Sequence, residues 1–234
     1  MNEIVIGTWN AEKATGSSKV GARIQTAIAS TSSDIFILTE GAESLLSTPG
    51  FVVSSEGDWG YPQKDASQRK VIMWSRWPWG DVDVLGHEML PAGRFVSART
   101  NTPQGLIRVI GVCIPWFGAH VNTGRTDRRP WEDHENYLHG LRQVISEPLE
   151  PTLVAGDFNQ KIPRKTQPRR VADLLSNVLV DYRVPTSALD DRPLIDHIAH
   201  SDHISGRFLT EINDHDSSGR LSDHRGVLVG TSIR

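Results

Sequence analysis

Five times in this sequence an apolar run ends and a carboxylate or amide follows at once: Trp9-Asn10-Ala11-Glu12, Leu38-Thr39-Glu40, Ala155-Gly156-Asp157-Phe158-Asn159, Leu194-Ile195-Asp196-His197 and Leu221-Ser222-Asp223-His224. A single Asp or Asn after a strand is usually a turn former or a helix cap. Turn chemistry does not account for so many carboxylates behind buried-looking strands. If these ends converge, Glu12, Glu40, Asp157, Asp196 and Asp223 repel one another unless cations or protons compensate. Oxygen-rich sites with few imidazoles suit a hard ion, Mg²⁺ or Mn²⁺, and not zinc. Such an ion polarises a phosphoryl oxygen and steadies a leaving oxyanion, and a histidine beside a carboxylate supplies a base. The reaction class this points to is phosphoester hydrolysis.

The elements that must position these groups are mostly strands, read as short β-branched or aromatic runs bounded by Gly, Pro, Asp or Ser. They are expected at 4–9, 34–39, 51–54, 70–75, 82–85, 95–100, 106–114, 151–155, 194–199, 208–212 and 227–229. Helical spacing of apolar residues marks 20–30, 131–145 and 171–179. Because alternate side chains of a strand share a face, Asn10 can point with Glu12, and Asp157 with Asn159. Strands run throughout, helices are inserted singly between them, and neither repeat nor linker divides the chain. One mixed α/β domain over residues 1–234 is the expectation.

Composition narrows the class further. The 234 residues carry 25 Lys plus Arg against 28 Asp plus Glu, a net charge of −3. That balance does not suit a protein that coats nucleic acid, though it leaves room for an enzyme that touches a few phosphates. Cys113 is the sole cysteine, so an internal disulfide framework and a Cys-rich zinc site are excluded. The longest charge-free apolar stretch, 109–119, contains Pro115 and falls short of the ~20 residues that span a bilayer. With no signal peptide visible behind Met1, a cytoplasmic protein without membrane association is expected, a monomer by default. Eight of the basic residues gather in two loops. Residues 118–129 hold Arg125, Arg128 and Arg129, and residues 161–170 hold Lys161, Arg164, Lys165, Arg169 and Arg170. The second loop directly follows Asp157-Phe158-Asn159, so it is expected at the rim of the site, where it would clamp a phosphate backbone. The tryptophans clustered from Trp59 to Trp79 read either as a stacking platform or as packing, with Trp74 assigned to packing.

These motifs resemble those of the endonuclease/exonuclease/phosphatase superfamily, which includes pancreatic deoxyribonuclease, apurinic/apyrimidinic endonucleases, inositol polyphosphate 5-phosphatases and bacterial sphingomyelinases. The resemblance is carried by Thr8-Trp9-Asn10, Leu38-Thr39-Glu40, Gly156-Asp157-Phe158-Asn159, Ile195-Asp196-His197-Ile198 and Ser222-Asp223-His224, in family order. The stretch from Val71 to Pro78 is similar to a family strand that ends in Ser-Arg/Lys-x-Pro. The resemblance implies a four-layer sandwich, two face-to-face mixed β-sheets flanked by helices.

It also implies roles. Glu40 would be the principal metal ligand, with Glu12 and Asp223 as direct or water-mediated ligands and Asn10 beside the metal. His224 would pair with the buried Asp196 and act as general base or as a phosphate-binding cation. Asp157 is the rival base, and Asn159 would position phosphate or the attacking water. Substrate contacts are expected from Asn10, Asn159, Arg164, Lys165, Arg169, Arg170 and Arg125. Two departures stand out: Cys113 and Trp116 occupy positions where family nucleases often have Tyr and Asn or His. His120 is the candidate replacement from the following loop. The sequence thus reads as a Mg²⁺- or Mn²⁺-dependent phosphodiesterase, foremost a nuclease with a nucleic-acid substrate. The alternatives are a phosphatase or phosphodiesterase on a small metabolite or phospholipid headgroup, and, from another class, an inactive binding module.

Overall fold

Strands whose alternate side chains are apolar on both faces have to be covered on both, and among the described residues two six-stranded sheets and three α-helices do this. In the computed structural model, residues 3–63, 65–189 and 194–234 are described; Met1, used above to read the N-terminus, lies outside them. The elements in chain order are β1 (Ile4–Asn10), α1 (Gly21–Ser30), β2 (Ile35–Ala42), β3 (Phe51–Ser54), β4 (Gln68–Ser75), β5 (Trp79–Asp83), β6 (Phe95–Thr102) and β7 (Gly105–Cys113). They continue with α2 (Glu132–Ile145), β8 (Thr152–Asp157), α3 (Arg169–Val178), β9 (Tyr182–Arg183), β10 (Asp196–Ser201), β11 (Ile204–Ile212), β12 (His215–Asp216), β13 (Gly219–Arg220) and β14 (Gly226–Ile233).

One six-stranded sheet has the order β11-β14-β1-β2-β4-β3 and the other β5-β6-β7-β8-β10-β9. Each contains a single parallel pair, β1 with β2 and β7 with β8. A parallel pair needs a crossover, and α1 and α2 provide the two. Ile4, Ile6, Ile37, Val71 and Met73 of the first sheet meet Val96, Val109, Leu153, Ala155 and Ile198 of the second in one buried cluster. The outer face of the first sheet packs Trp9, Phe36, Leu38 and Ile72 on Ile24 and Ile28 of α1. That of the second packs Phe95, Ile110, Val112 and Val154 on Tyr137, Leu138 and Leu141 of α2 and Leu175 of α3. The result is the helix–sheet–sheet–helix sandwich that the family resemblance implies.

The strand ends explain where chemistry gathers. β1, β2, β7 and β8 all finish at one end of the sandwich, and their antiparallel neighbours β4, β10 and β14 start there. Two motifs sit at strand starts: Asp196 opens β10, within the strand expected at 194–199, and Asp223 lies in the loop between β13 and β14. They reach the same end because antiparallel pairing brings starts beside finishes. β5 lies at 79–83 and not 82–85, and α3 starts at Arg169, directly behind Pro168, whose fixed φ suits a helix entry. Two-residue strands and the β12–β13 hairpin carry too little pattern to be read from sequence.

Candidate active site

Asp157, the last residue of β8, is buried between the two sheets. Three donors hold its carboxylate. Asn10 at the end of β1 gives its Nδ2 hydrogen to Oδ2 at 3.0 Å, across the sheet interface. Asn159 gives its backbone N–H to Oδ1 at 2.8 Å and its Nδ2 hydrogen to Oδ2 at 3.0 Å. The side-chain amide of Asn159 also reaches Ile114 O, which ties the loop after β7 to the site. Beside Asp157, in register with it across β8 and β10, stands Asp196. His224 Nδ1 lies 2.5 Å from Asp196 Oδ2, while Asp196 Oδ1 is buried with no hydrogen-bond partner among the described residues. Ser222 fixes this corner: its hydroxyl donates to Asn10 O and accepts the His224 N–H.

Glu40 sits on the other wall. The pairings Thr39↔Val71 and Gly41↔Arg69 set Lys70 opposite it, and Lys70 Nζ donates to Glu40 Oε1 at 2.6 Å. Arg94, just before β6, is 5% exposed and lies alongside Cys113, with Nη1 3.3 Å from Cys113 O. Asn10, Glu12, Lys13, Glu40, Lys70, Arg94, Trp116, Asp157, Asn159, Asp223 and His224 together line one cavity of about 450 Å³. Glu12, Lys13, Glu40 and Asn159 all have left-handed backbone, φ between 47° and 63°. Non-glycine residues rarely adopt this region, and such strain collects at functional sites.

Burial and neighbours set the charges. Burial pushes the Asp157 carboxyl up to about 7; Asp196 and Glu40 add to this, against the His224 cation. Burial alone would lower the His224 imidazole, but Asp196 and Asp157 outweigh it and hold the ring at about 10. Asp196 is itself pushed up by burial, with His224 working against that. Burial would also raise Glu40, yet Lys70, Lys13 and Arg94 keep it below the ordinary carboxylate range. Glu40 therefore stays an anion while Asp157 titrates near neutrality.

The donor set fits a hard divalent cation. Carboxylate oxygens of Glu40 and Asp157 lie within 4.8 Å of each other and of Cys113 Sγ. Burial raises the Cys113 thiol to about 12, so it stays protonated and leaves coordination to oxygens. Glu12 and Asp223 stand at the outer lip, where Arg220 draws on both, at 2.7 and 4.0 Å.

The basic groups are distributed differently from the expectation. Arg169 pairs with Asp173 and Arg170 with Glu135 of α2, both on the outer helical layer. Arg164 donates to Gln167 O within its own loop and lines a different cavity. Lys165 is exposed in that loop. None of these four lines the cavity around Asp157. Arg125 and His120 line a neighbouring cavity that shares Arg94 with it. His120 is buried against Tyr61, ring centroids 4.4 Å apart. Lys13, Lys70 and Arg94 are the cations the structure brings to the site, and sequence reasoning missed all three. Of the clustered tryptophans, Trp74 is core, Trp77 and Trp79 pack against the inter-sheet cluster, and Trp59 alone faces the site region.

A sandwich of two six-stranded sheets with acid, amide and histidine at one end defines a phosphoesterase-type fold and site, and the sequence comparison agrees. Residues 7–224 match the Endonuclease/Exonuclease/phosphatase family, and the chain belongs to it. It is a hydrolase of that superfamily. No functionally curated sequence matches it. Among solved structures it is similar to an endonuclease/exonuclease/phosphatase from Beutenbergia cavernae, with a TM-score of 0.69 and 17% identity, covering 100% of this chain and 72% of that one. It is similar to the endonuclease domain of TRAS1, a telomere-specific non-LTR retrotransposon, with a TM-score of 0.62 and 16% identity over 99% of both chains. It is also similar to sphingomyelinase C from Streptomyces griseocarneus, with a TM-score of 0.64 and 12% identity, covering 98% and 99%. At these identities the likeness is one of fold. Among the described residues, no helix is long and apolar enough to cross a membrane.

Proposed function

We propose that this chain is a Mg²⁺- or Mn²⁺-dependent phosphodiesterase that cleaves nucleic acid. The observation that carries the reading is Asp157: a buried carboxylate held by two amides, beside an Asp196–His224 pair and opposite Glu40, in one open cavity. Asp157 takes the proton of the attacking water, since a carboxyl raised to about 7 is matched to that task at neutral pH. Asn10 and Asn159 keep its oxygens oriented. His224 keeps its own proton up to about 10, so at neutral pH it is a cation and binds a phosphoryl oxygen in place of acting as base. Its Nδ1 is committed to Asp196, which leaves Nε2 for the substrate. Water's oxygen forms the new bond to phosphorus, the bond to the leaving alkoxide breaks, and the charge that builds on the phosphoryl oxygens faces Lys70, Arg94 and His224. A metal held by Glu40 with Asn10 beside it would neutralise part of that charge as a Lewis acid.

Nucleic acid is favoured by the cations Lys13, Lys70 and Arg94 at the cavity, which suit successive phosphates. The buried, unpaired Cys113 suits a reducing compartment such as the cytoplasm. A phospholipid headgroup is the second reading: Trp116 and Phe117, 43% and 51% exposed and 4.9 Å apart, form an apolar pair at the rim of the site. The test is hydrolysis of duplex and single-stranded DNA, RNA, inositol phosphates and sphingomyelin, with and without chelator. Chelator-sensitive turnover of DNA or RNA is the expected result. Turnover of sphingomyelin alone overturns the nuclease assignment, and turnover that survives chelator overturns the metal.

A further inference from the structure

A second cavity of about 410 Å³ opens from the catalytic one, and Lys13, Glu40, Lys70, Arg94 and Trp116 line both. Its remaining wall combines the aromatic rings of Trp59 and Tyr61 with Pro62, Gln68 and Thr123. Of the three cations that line both cavities, Lys13 is exposed and two, Arg94 and Lys70, are buried where the cavities join. Arg94 is 5% exposed, and among the described residues its guanidinium donates only to Cys113, to O at 3.3 Å and towards Sγ at 3.9 Å. A guanidinium has five N–H donors in a fixed fork, so most of them are uncommitted. A buried charge with uncommitted donors is costly unless an anion meets it. Lys70 is 7% exposed, paired with Glu40 and 5.6 Å from the Trp59 ring centroid. The aromatic element at the opening is Trp116. It is 43% exposed, with Gly118 lying close against its ring, where a Cβ would come within 2.6 Å. A half-exposed indole backed by Gly118 and beside buried cations offers a flat π-face next to an anion site, which is the chemistry that receives a nucleobase attached to a phosphate.

We propose that this second cavity is a base subsite, in which the nucleobase next to the scissile phosphodiester stacks on Trp116 while Arg94 bonds the phosphate where the cavities meet. The inference rests on the nuclease reading. It gives a function to the departure at Trp116, where an aromatic surface stands in place of the polar group that family nucleases often carry. It also accounts for Cys113: a short side chain there leaves the adjoining space to Arg94.

The test uses short single-stranded oligonucleotides in which a tetrahydrofuran residue replaces one base at a time, cleaved by the wild-type protein, Trp116→Ala and Trp116→Phe. Expected for the wild type is a fall in kcat/KM of about tenfold, carried by KM, when the base beside the cleaved bond is missing. Trp116→Ala should show that same fall on the intact oligonucleotide and no further fall on the abasic one, while Trp116→Phe keeps most of the base sensitivity. Because Trp116 is half exposed, the variants are expected to fold, and a far-UV circular dichroism spectrum and Tm matching the wild type check it. A wild type indifferent to every base, or a Trp116→Ala protein as sensitive as the wild type, overturns the subsite and leaves the nuclease reading intact. Failure of the wild type to cleave any nucleic acid while hydrolysing another phosphoester overturns that reading, and the subsite with it.

Discussion

Asp196 gives one carboxylate oxygen to His224 Nδ1 at 2.5 Å and keeps the other buried, without a donor among the described residues. The pair therefore holds its proton on the imidazole, which stays cationic over most of the pH range. The stabilisation from a His whose pKa is raised in the fold, here from 6.5 to about 10, is fully present below the lower value and is lost as pH rises towards the upper one. In Asp196→Asn the anion is gone and burial dominates, so the His224 titration should fall well below its wild-type position. Imidazole NMR reads the shift, and kcat at pH 8 should drop by roughly 10² or more as the phosphoryl oxygens lose their cation. A His224 titration that stays near its wild-type position sinks this account.

Asp157 predicts the acidic limb of the rate profile. A base must be deprotonated to act, so without other influences activity rises as pH climbs through about 7. A bound divalent cation close by favours the carboxylate and moves this limb to lower pH. Asp157→Asn should lose about 10²–10⁴ in kcat, and whatever rate remains should no longer show that limb. Initial-rate profiles of the two proteins at fixed metal concentration decide it.

Lys70 bonds Glu40 at 2.6 Å with both side chains largely buried. In Lys70→Met the carboxylate faces the cavity without its partner, which should cost about 1–3 kcal/mol in metal-free buffer. Added Mg²⁺ should restore most of that by binding the freed carboxylate. Thermal unfolding with and without metal is the measurement, and a loss of Tm that Mg²⁺ leaves untouched would contradict the role given to Glu40.

Gly156 has φ +140°, and a Cβ there would lie 2.0 Å from Val112 O in the neighbouring strand. Backbone cannot yield as a side-chain tip can. Gly156→Ala should destabilise the fold by about 3 kcal/mol and displace Asp157, the next residue. Urea unfolding gives the first effect and kcat the second; a variant with wild-type values of both would refute the constraint.

Much of the site was legible because its residues end or begin strands that apolar runs announce. Asn10, Glu40 and Asp157 each close such a run, so their types and positions were enough to gather them. The cations were not legible. Alternation sets Lys70 on the face of Ile72 and Trp74, away from the inter-sheet space that Val71 and Met73 fill, and only the left-handed turn at Glu40 and the β2–β4 register bring it to the cavity. Arg94 precedes the strand announced by Phe95 and Val96, and no residue pattern marks it as turned towards the site. The opposite error occurred at Arg169 and Arg170. They are close to Asp157 in sequence, but the left-handed turn at Asn159 and the loop behind it carry the chain to the outer layer, where Glu135 and Asp173 take up their charge. Closeness along a chain decays quickly once the backbone turns.

The hydrogen bond from Asn10 to Asp157 joins the last residues of two central strands that belong to different sheets. Neither sheet owns the active site, so no partly unfolded form in which the sheets have parted can retain turnover. Loss of activity in denaturant should then track the global transition, and the enzyme's own reaction becomes a gauge of whether its two halves are assembled.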